Sequence, residues 1–184
     1  MMLMTFEEFS RLGMAIKEFY PSEKVLQTDE AIKLWFQQLK DLDYKFASVA
    51  LSKYVATNKW PPTIADIREN YLDVTQGKTI DWGEGWEEVL YAIRRYGYMR
   101  EQEALDSMSE ITREVVGRLG WWNLCMSENI GVERANFRQI YMELADRKRE
   151  YSKLPVSVQK LISSTVEKMV IEDKNGKNTE GNQP

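Results

Sequence analysis

The chain has 184 residues and a formal net charge of −4, with a sequence pI near 5.1. Its hydrophobic content of 43% and charged content of 29% are typical of one or two globular domains, and exclude a disordered or collagen-like chain. Residues 1–80 hold 10 basic and 11 acidic residues and residues 81–184 hold 15 and 18, so neither part is a basic module for nonspecific nucleic-acid binding.

The residue types that dominate catalysis and metal binding are scarce. The chain has no histidine and a single cysteine, Cys125, which removes imidazole acid–base chemistry and most zinc or thiol chemistry. No GxxxxGK[ST] phosphate-binding loop is present. We therefore expect no enzymatic activity, no metal and no cofactor. A lone thiol, without a secretory signal or an apolar run of about 18 residues, predicts a soluble cytoplasmic protein with no membrane span.

Residues 1–76 carry the periodicity of four helices. Thr5 and Glu8 are spaced as a capping box for the first. The second is predicted to start at Thr28 or the next residue, the third after Asp43, and the fourth at Thr63. The apolar positions that recur at helical spacing are Phe6, Phe9, Leu12, Ile16 and Phe19; Ile32, Trp35, Leu39 and Leu42; Tyr44, Ala47, Ala50, Leu51, Tyr54 and Val55; and Ile64, Ile67, Tyr71 and Leu72.

A linker is predicted at residues 75–79, where TQGKT breaks this periodicity. Asp81 and Glu84 then bracket the start of another helix, which Gly97 ends. Further helices are predicted at residues 101–108, 110–119 and 132–151, and from Pro155 through residue 169.

No alternating strand pattern occurs, so the predicted class is all-α. We expect a small helical bundle over residues 1–76 and a second helical region over residues 77–170. The polar residues 171–184 are predicted to form a disordered tail.

Tryptophan and arginine are enriched in the hot spots of protein interfaces, so several of these residues are candidate partner contacts. Trp60, Trp121 and Trp122 lie at predicted helix junctions, where core packing is favoured and partner contact is the alternative. Arg94 and Arg95 lie on the exposed side of their helix, which makes them candidate contacts as well.

The densest basic cluster comprises Arg147, Lys148 and Arg149. Acidic residues at positions 143, 146 and 150 dilute it, so a solvated helix face with salt bridges is favoured. Contact with an acidic partner or with DNA is the alternative for this cluster.

The order of several short motifs resembles a known family. Residues 44–55 (YKFASVALSKYV) and 59–68 (KWPPTIADIR) resemble the N-terminal domain of the replicative-helicase loader and inhibitor family of Firmicute phages. The second region is similar to the C-terminal part of many phage members at WEEV (86–89), AIRRYGY (92–98), LGW (119–121), LCMSEN (124–129), RANFR (134–138) and LP (154–155).

This resemblance implies an adaptor without enzymatic activity. Family members bind a hexameric DnaB-like replicative helicase, hold it inactive and deliver it to an origin bound by the phage initiator protein. The N-terminal domain is linked to the initiator and the C-terminal region to the helicase. The best-known kind of member has a C-terminal part that is disordered until it meets the helicase, whereas residues 81–169 here carry apolar faces of their own and should fold.

Three other functions remain open. Residues 35–61 are similar to one tetratricopeptide unit, but no second copy follows 34 residues later, and such arrays need at least three. Predicted helices three and four could form a DNA-binding helix-turn-helix with Arg68 on the recognition helix, although the loop between them is longer than the usual turn. A structural phage protein would show stable homo-oligomers.

Overall fold

The computed structural model describes residues 3–76 and 81–179, with side chains described up to residue 169. Within those ranges the chain forms ten helices and no strand, so the all-α prediction is confirmed. The helices are α1 (Phe6–Phe19), α2 (Asp29–Leu39), α3 (Tyr44–Thr57), α4 (Ile64–Gln76), α5 (Trp82–Tyr96), α6 (Glu101–Asp106), α7 (Glu110–Leu119), α8 (Trp121–Met126), α9 (Ile130–Lys153) and α10 (Val156–Thr179).

Local capping signals fix the helix starts where the sequence predicts them. The Thr5 hydroxyl accepts from the Glu8 N–H at 3.2 Å, while the Glu8 carboxylate accepts from the Thr5 N–H at 2.8 Å. Thr28 and Asp43 cap α2 and α3 through their side-chain oxygens. These contacts satisfy N–H groups that the first turn of a helix leaves unpaired.

The chain divides into two compact units. Unit 1 comprises Met1–Thr75 together with Tyr151–Pro184, and unit 2 comprises Gln76–Glu150. Helix α4 continues through Gln76, so residues 75 and 76 of the linker predicted at 75–79 are helical. Residues 77–80 lie outside the described residues, as do the side chains of the tail predicted at 171–184.

Helices α1 to α4 of unit 1 enclose one apolar core. Ala47 and Ala50 are fully buried, as expected for small residues that let neighbouring helices approach closely. The Asp43 N–H donates to the Tyr71 hydroxyl at 3.2 Å, which ties the start of α3 to α4. The buried members of this core are Met4, Phe9, Leu12, Ile16, Tyr20, Leu26, Leu39, Leu42, Ala47, Ala50, Leu51, Ile67 and Tyr71.

An arginine inside unit 1 forms a buried ion pair. Arg68 on α4 is 5% exposed. Its two terminal nitrogens donate to the two carboxylate oxygens of Asp41 at 2.8 and 2.9 Å, and one of them also donates to the Gln38 carbonyl at 2.7 Å. Burial acts to raise the pKa of Asp41, but the hydrogen bond and the charge of Arg68 outweigh it, so that pKa lies below its usual value.

The same arginine explains why the segment from Tyr151 belongs to unit 1. The sequence pattern instead predicted this segment as part of the second helical region, residues 77–170. Arg68 donates through Nε to the Lys153 carbonyl and through Nη2 to the Leu154 carbonyl. The Val156 N–H in turn donates to Asp41 at 3.1 Å. One buried ion pair therefore binds the backbone at the junction of α9 and α10.

Unit 2 has a separate apolar core, formed by helices α5 to α9. Its helices pack closely at Gly85, where an added Cβ would lie 2.8 Å from the Tyr141 ring and 2.9 Å from the Thr112 hydroxyl. The buried members are Trp86, Val89, Ala92, Ala104, Met108, Val115, Val116, Trp121, Leu124, Phe137, Tyr141 and Leu144.

Candidate partner-binding surfaces

The loop at residues 58–63, between α3 and α4, is held firmly at both ends. The Tyr20 hydroxyl donates to the Asn58 carbonyl at 2.9 Å. At the other end, Asp66 accepts from the N–H and the hydroxyl of Thr63 at 2.8 and 2.7 Å, and the Asp66 N–H returns a bond to Thr63 Oγ1 at 3.2 Å. Two prolines restrict the backbone between these anchors.

Trp60 stands out from this loop into solvent. Its side chain is 61% exposed, and the Lys59 ammonium lies 5.7 Å from the centre of its ring. The expectation that Trp60 packs on the helices is therefore wrong. Because the loop is rigid, the indole is presented at little conformational cost, which is a property of good binding anchors.

Trp121 lies in the core of unit 2, which agrees with the favoured interpretation of core packing and removes it from the candidate partner contacts. It is 2% exposed, and its indole N–H donates to the Gly97 carbonyl at 3.2 Å. Gly120, at a φ of +87°, ends α7 and lets α8 begin at once, which turns Trp121 inward. The hydrogen bond satisfies the one polar atom of a buried indole.

Trp122, the next residue, lies on the surface. It is 57% exposed and packs edge-on against Tyr98, with ring centres 5.2 Å apart. Tyr98 is itself 46% exposed and Met99 is 81% exposed. We name these three residues, Tyr98, Met99 and Trp122, the aromatic patch. Aromatic residues and methionine are enriched at the centres of protein interfaces, so the aromatic patch is a candidate partner-binding surface.

Arg94 and Arg95 lie in the last turn of α5, four and three residues before Tyr98. Both are exposed, and neither has a salt bridge with any described residue. Cations at a helix C-terminus also interact favourably with the helix dipole. Arg94, Arg95 and Trp122 are thus all exposed, and Tyr98, just after α5, is the residue that contacts Trp122 at the start of α8.

The cluster of Arg147, Lys148 and Arg149 is engaged with neighbouring acids. Arg147 pairs with Glu143 at 2.7 Å, and Lys148 pairs with Glu110 at 2.9 Å. The hydrogen bond that Lys148 donates to Glu110 raises the pKa of Lys148 and lowers the pKa of Glu110. Arg149 is half-buried and also has a partner. These contacts favour the solvated face with salt bridges over a contact with an acidic partner or DNA.

Two features of unit 1 were missed by sequence reasoning. One is the role of Arg68, which interrupts the apolar face of α4 four residues after Ile64 and four before Leu72, a spacing that could have signalled a buried cation. The other is an apolar groove whose walls include Met4 from before α1 and Val156 from the start of α10. No local pattern could have paired residues so far apart.

Burial of Arg68 also bears on the helix-turn-helix alternative. The guanidinium is hydrogen-bonded to Asp41 and to backbone carbonyls. The cation that the alternative placed on the recognition surface of α4 is therefore buried and not available to contact DNA. The described residues contain no group of three or more potential metal ligands among His, Cys, Asp and Glu. No helix in the described ranges has the length and hydropathy needed to cross a membrane.

Comparison with known families gives one match. Residues 4–68 match the sequence model of the gp39 N-terminal domain, which represents a phage helicase loader/inhibitor family. The matched segment covers about a third of the chain and includes α1, α2, α3, the 58–63 loop and the start of α4. No curated protein and no solved structure matches this chain.

Proposed function

We propose that this chain, whose residues 4–68 match the N-terminal domain of the phage helicase loader and inhibitor family, is an adaptor of phage DNA replication. It binds the hexameric DnaB-like replicative helicase of the host, inhibits it, and loads it at the origin bound by the phage initiator protein. The family match is the observation that carries this proposal. The protein acts in the host bacterial cytoplasm and has no catalytic activity of its own, so any ATP dependence belongs to the helicase.

Each of the two units binds a different partner. Following the resemblance, unit 1 contacts the initiator and unit 2 contacts the helicase. In unit 1 the exposed surface that fits this role is Trp60 on its rigid loop. In unit 2 it is the aromatic patch with Arg94 and Arg95.

The aromatic patch suits a protein partner better than a nucleic acid. Trp, Tyr, Met and Arg are enriched at protein interfaces, where a few such residues supply most of the binding free energy. The chain is acidic overall, whereas affinity for nucleic acid rests on many phosphate contacts from Lys and Arg. Independent DNA binding by this protein is therefore expected to be weak.

Inhibition and loading require that the adaptor distinguish states of the helicase. A ligand with equal affinity for two conformations shifts neither, however tightly it binds. The adaptor must therefore bind the inactive state of the ring more tightly than the translocating state. A tenfold difference in affinity corresponds to about 1.4 kcal/mol, which one aromatic contact can supply.

Purified protein and helicase, mixed with ATP and separated by size exclusion, test the complex directly. A shared peak, together with slower unwinding of forked DNA, is the expected result. Separate elution at micromolar concentrations would contradict the proposed binding. A complex that leaves unwinding unchanged would contradict inhibition but not binding.

The two exposed tryptophans provide matched variants that test which unit binds the helicase and which binds the initiator. Trp60→Ala and Trp122→Ala remove the same side chain from surfaces of similar exposure, 61% and 57%. W122A is expected to weaken helicase binding at least tenfold and to leave initiator binding unchanged, while W60A should do the opposite. Circular dichroism should show both variants folded. If W60A weakens helicase binding and W122A does not, the assignment of the units is reversed.

A further inference from the structure

Unit 1 contains a groove that is separate from Trp60. Its volume is about 460 Å3, within the range of ligand pockets, roughly 300–1,000 Å3. Apolar side chains from three parts of the chain form most of its walls: the segment before α1, the end of α2 and the start of α10. The residues that line it are Leu3, Met4, Phe36, Gln37, Lys40, Asp41, Pro155, Val156, Ser157 and Lys160.

Both sides of this groove are fixed by hydrogen bonds. The Met4 N–H donates to the Lys40 carbonyl at 3.0 Å, which attaches the N-terminal segment to the end of α2. On the opposite side the Val156 N–H donates to Asp41 at 3.1 Å, and Asp41 is held by the buried Arg68. The groove therefore exists before any partner arrives, and a partner would not bear the cost of ordering it.

The groove combines exposed apolar surface with positive charge. Leu3 is 68% exposed and Val156 is 44% exposed. Lys40 and Lys160 are both exposed, and neither has a salt bridge with any described residue. The carboxylate of Asp41 is neutralised by Arg68 and already accepts the Val156 N–H, so it does not offset the two lysines.

We propose that this groove binds a segment of a partner protein that inserts apolar side chains between Leu3 and Val156 and places acidic residues beside Lys40 and Lys160. The charge of the rim is complementary to carboxylates, and the apolar walls match hydrophobic anchors. Two lysines are too few for affinity to a nucleic-acid backbone. This inference does not depend on the proposed function, because it follows from the groove alone.

A selection of displayed peptides on the full-length protein tests this inference. The expected result is enrichment of peptides that combine apolar residues with flanking Asp or Glu. The strongest peptide, labelled with fluorescein, is then titrated against three proteins by fluorescence anisotropy: the wild type, K40E/K160E and K33E. Lys33 is an exposed lysine on α2 outside the groove, so K33E is a matched control for charge reversal.

The double reversal should weaken binding at least tenfold and K33E less than twofold, and added salt should weaken wild-type binding. Both substituted lysines are exposed, so folding should persist, which circular dichroism would verify. The inference is overturned if no peptide is enriched, if the enriched peptides lack acidic residues, or if they bind K40E/K160E as well as wild type. Self-association that K40E/K160E abolishes would also overturn it, because the occupant would then be a second copy of the chain.

Discussion

Replacing Arg68 by methionine tests the contact that attaches the start of α10 to unit 1. The Arg68 and Asp41 side chains are 6% and 12% exposed. Methionine keeps the aliphatic volume but removes the guanidinium, so the Asp41 carboxylate stays buried without a countercharge. Breaking a buried pair in this way costs roughly 3–5 kcal/mol. R68M should therefore lower the free energy of unfolding of unit 1 by about 3 kcal/mol or more, a large part of the stability of a domain.

Two further variants show whether burial is the cause. Lys53 and Asp73 also pair, at 2.7 Å, but their side chains are 50% and 34% exposed. K53M should therefore cost at most about 1 kcal/mol. In the double variant R68M/D41N no charge is left buried, and the asparagine can still accept from the Val156 N–H. It should recover about half or more of the loss seen in R68M.

Hydrogen exchange in increasing urea, read by mass spectrometry, is the appropriate assay because it follows unit 1 separately from unit 2. The slowest amides of α1 and α3 report the unfolding of unit 1. Residues 151–158 should also exchange faster in R68M but not in K53M. The reasoning is refuted if R68M unfolds with a free energy close to that of K53M, or if exchange at 151–158 is unchanged.

Four other substitutions have outcomes that follow from the structure. The pKa of Asp41 is lower in the folded state, so the ionised carboxylate stabilises the fold at neutral pH, and this contribution is lost as the pH falls from about 4 through the folded pKa. The difference in unfolding free energy between wild type and D41N, measured during acid titration, should therefore shrink in that range. Gly85→Ala places a Cβ against the Tyr141 ring and should lower the stability of unit 2 by about 1–3 kcal/mol. Gly117→Ala, in open space on α7, should raise that stability by about 0.5–1 kcal/mol. The two variants should therefore shift the thermal melting temperature in opposite directions. Thr63→Ala removes the cap of α4 and should cost about 1 kcal/mol in urea unfolding, and an unchanged midpoint would contradict the role of its hydroxyl.

The charged and aromatic residues show why composition alone does not identify a binding surface. Trp121 and Trp122 are adjacent in the sequence, yet one is 2% exposed and the other 57% exposed. Arg147 and Arg94 both lie on predicted helix faces, but Arg147 pairs with Glu143, four residues before it on α9, while Arg94 has no salt bridge with a described residue. The pairing of Arg147 could be predicted from its acidic neighbours in the sequence, whereas only the folded structure separates Trp121 from Trp122.

The helix starts and the helical class could be predicted from the sequence. Thr5, Thr28, Asp43 and Thr63 cap helices through contacts that span three residues or fewer, and the spacing of apolar residues selected the helical class. The KWPPTIADIR segment also indicated the family, since the match of residues 4–68 to the gp39 N-terminal domain supports that prediction. Such signals are readable because the atoms that interact are close in the chain.

Tertiary structure alone decided which residues are buried at the ends of helices and which distant segments meet. Arg68 contacts Asp41, 27 residues away, and the Leu154 carbonyl, 86 residues away. That contact places the start of α10 in unit 1 and completes a groove with Lys40 on one side and Lys160 on the other. A buried guanidinium requires acceptors from every direction, and only a folded chain can supply them from helices so far apart in sequence.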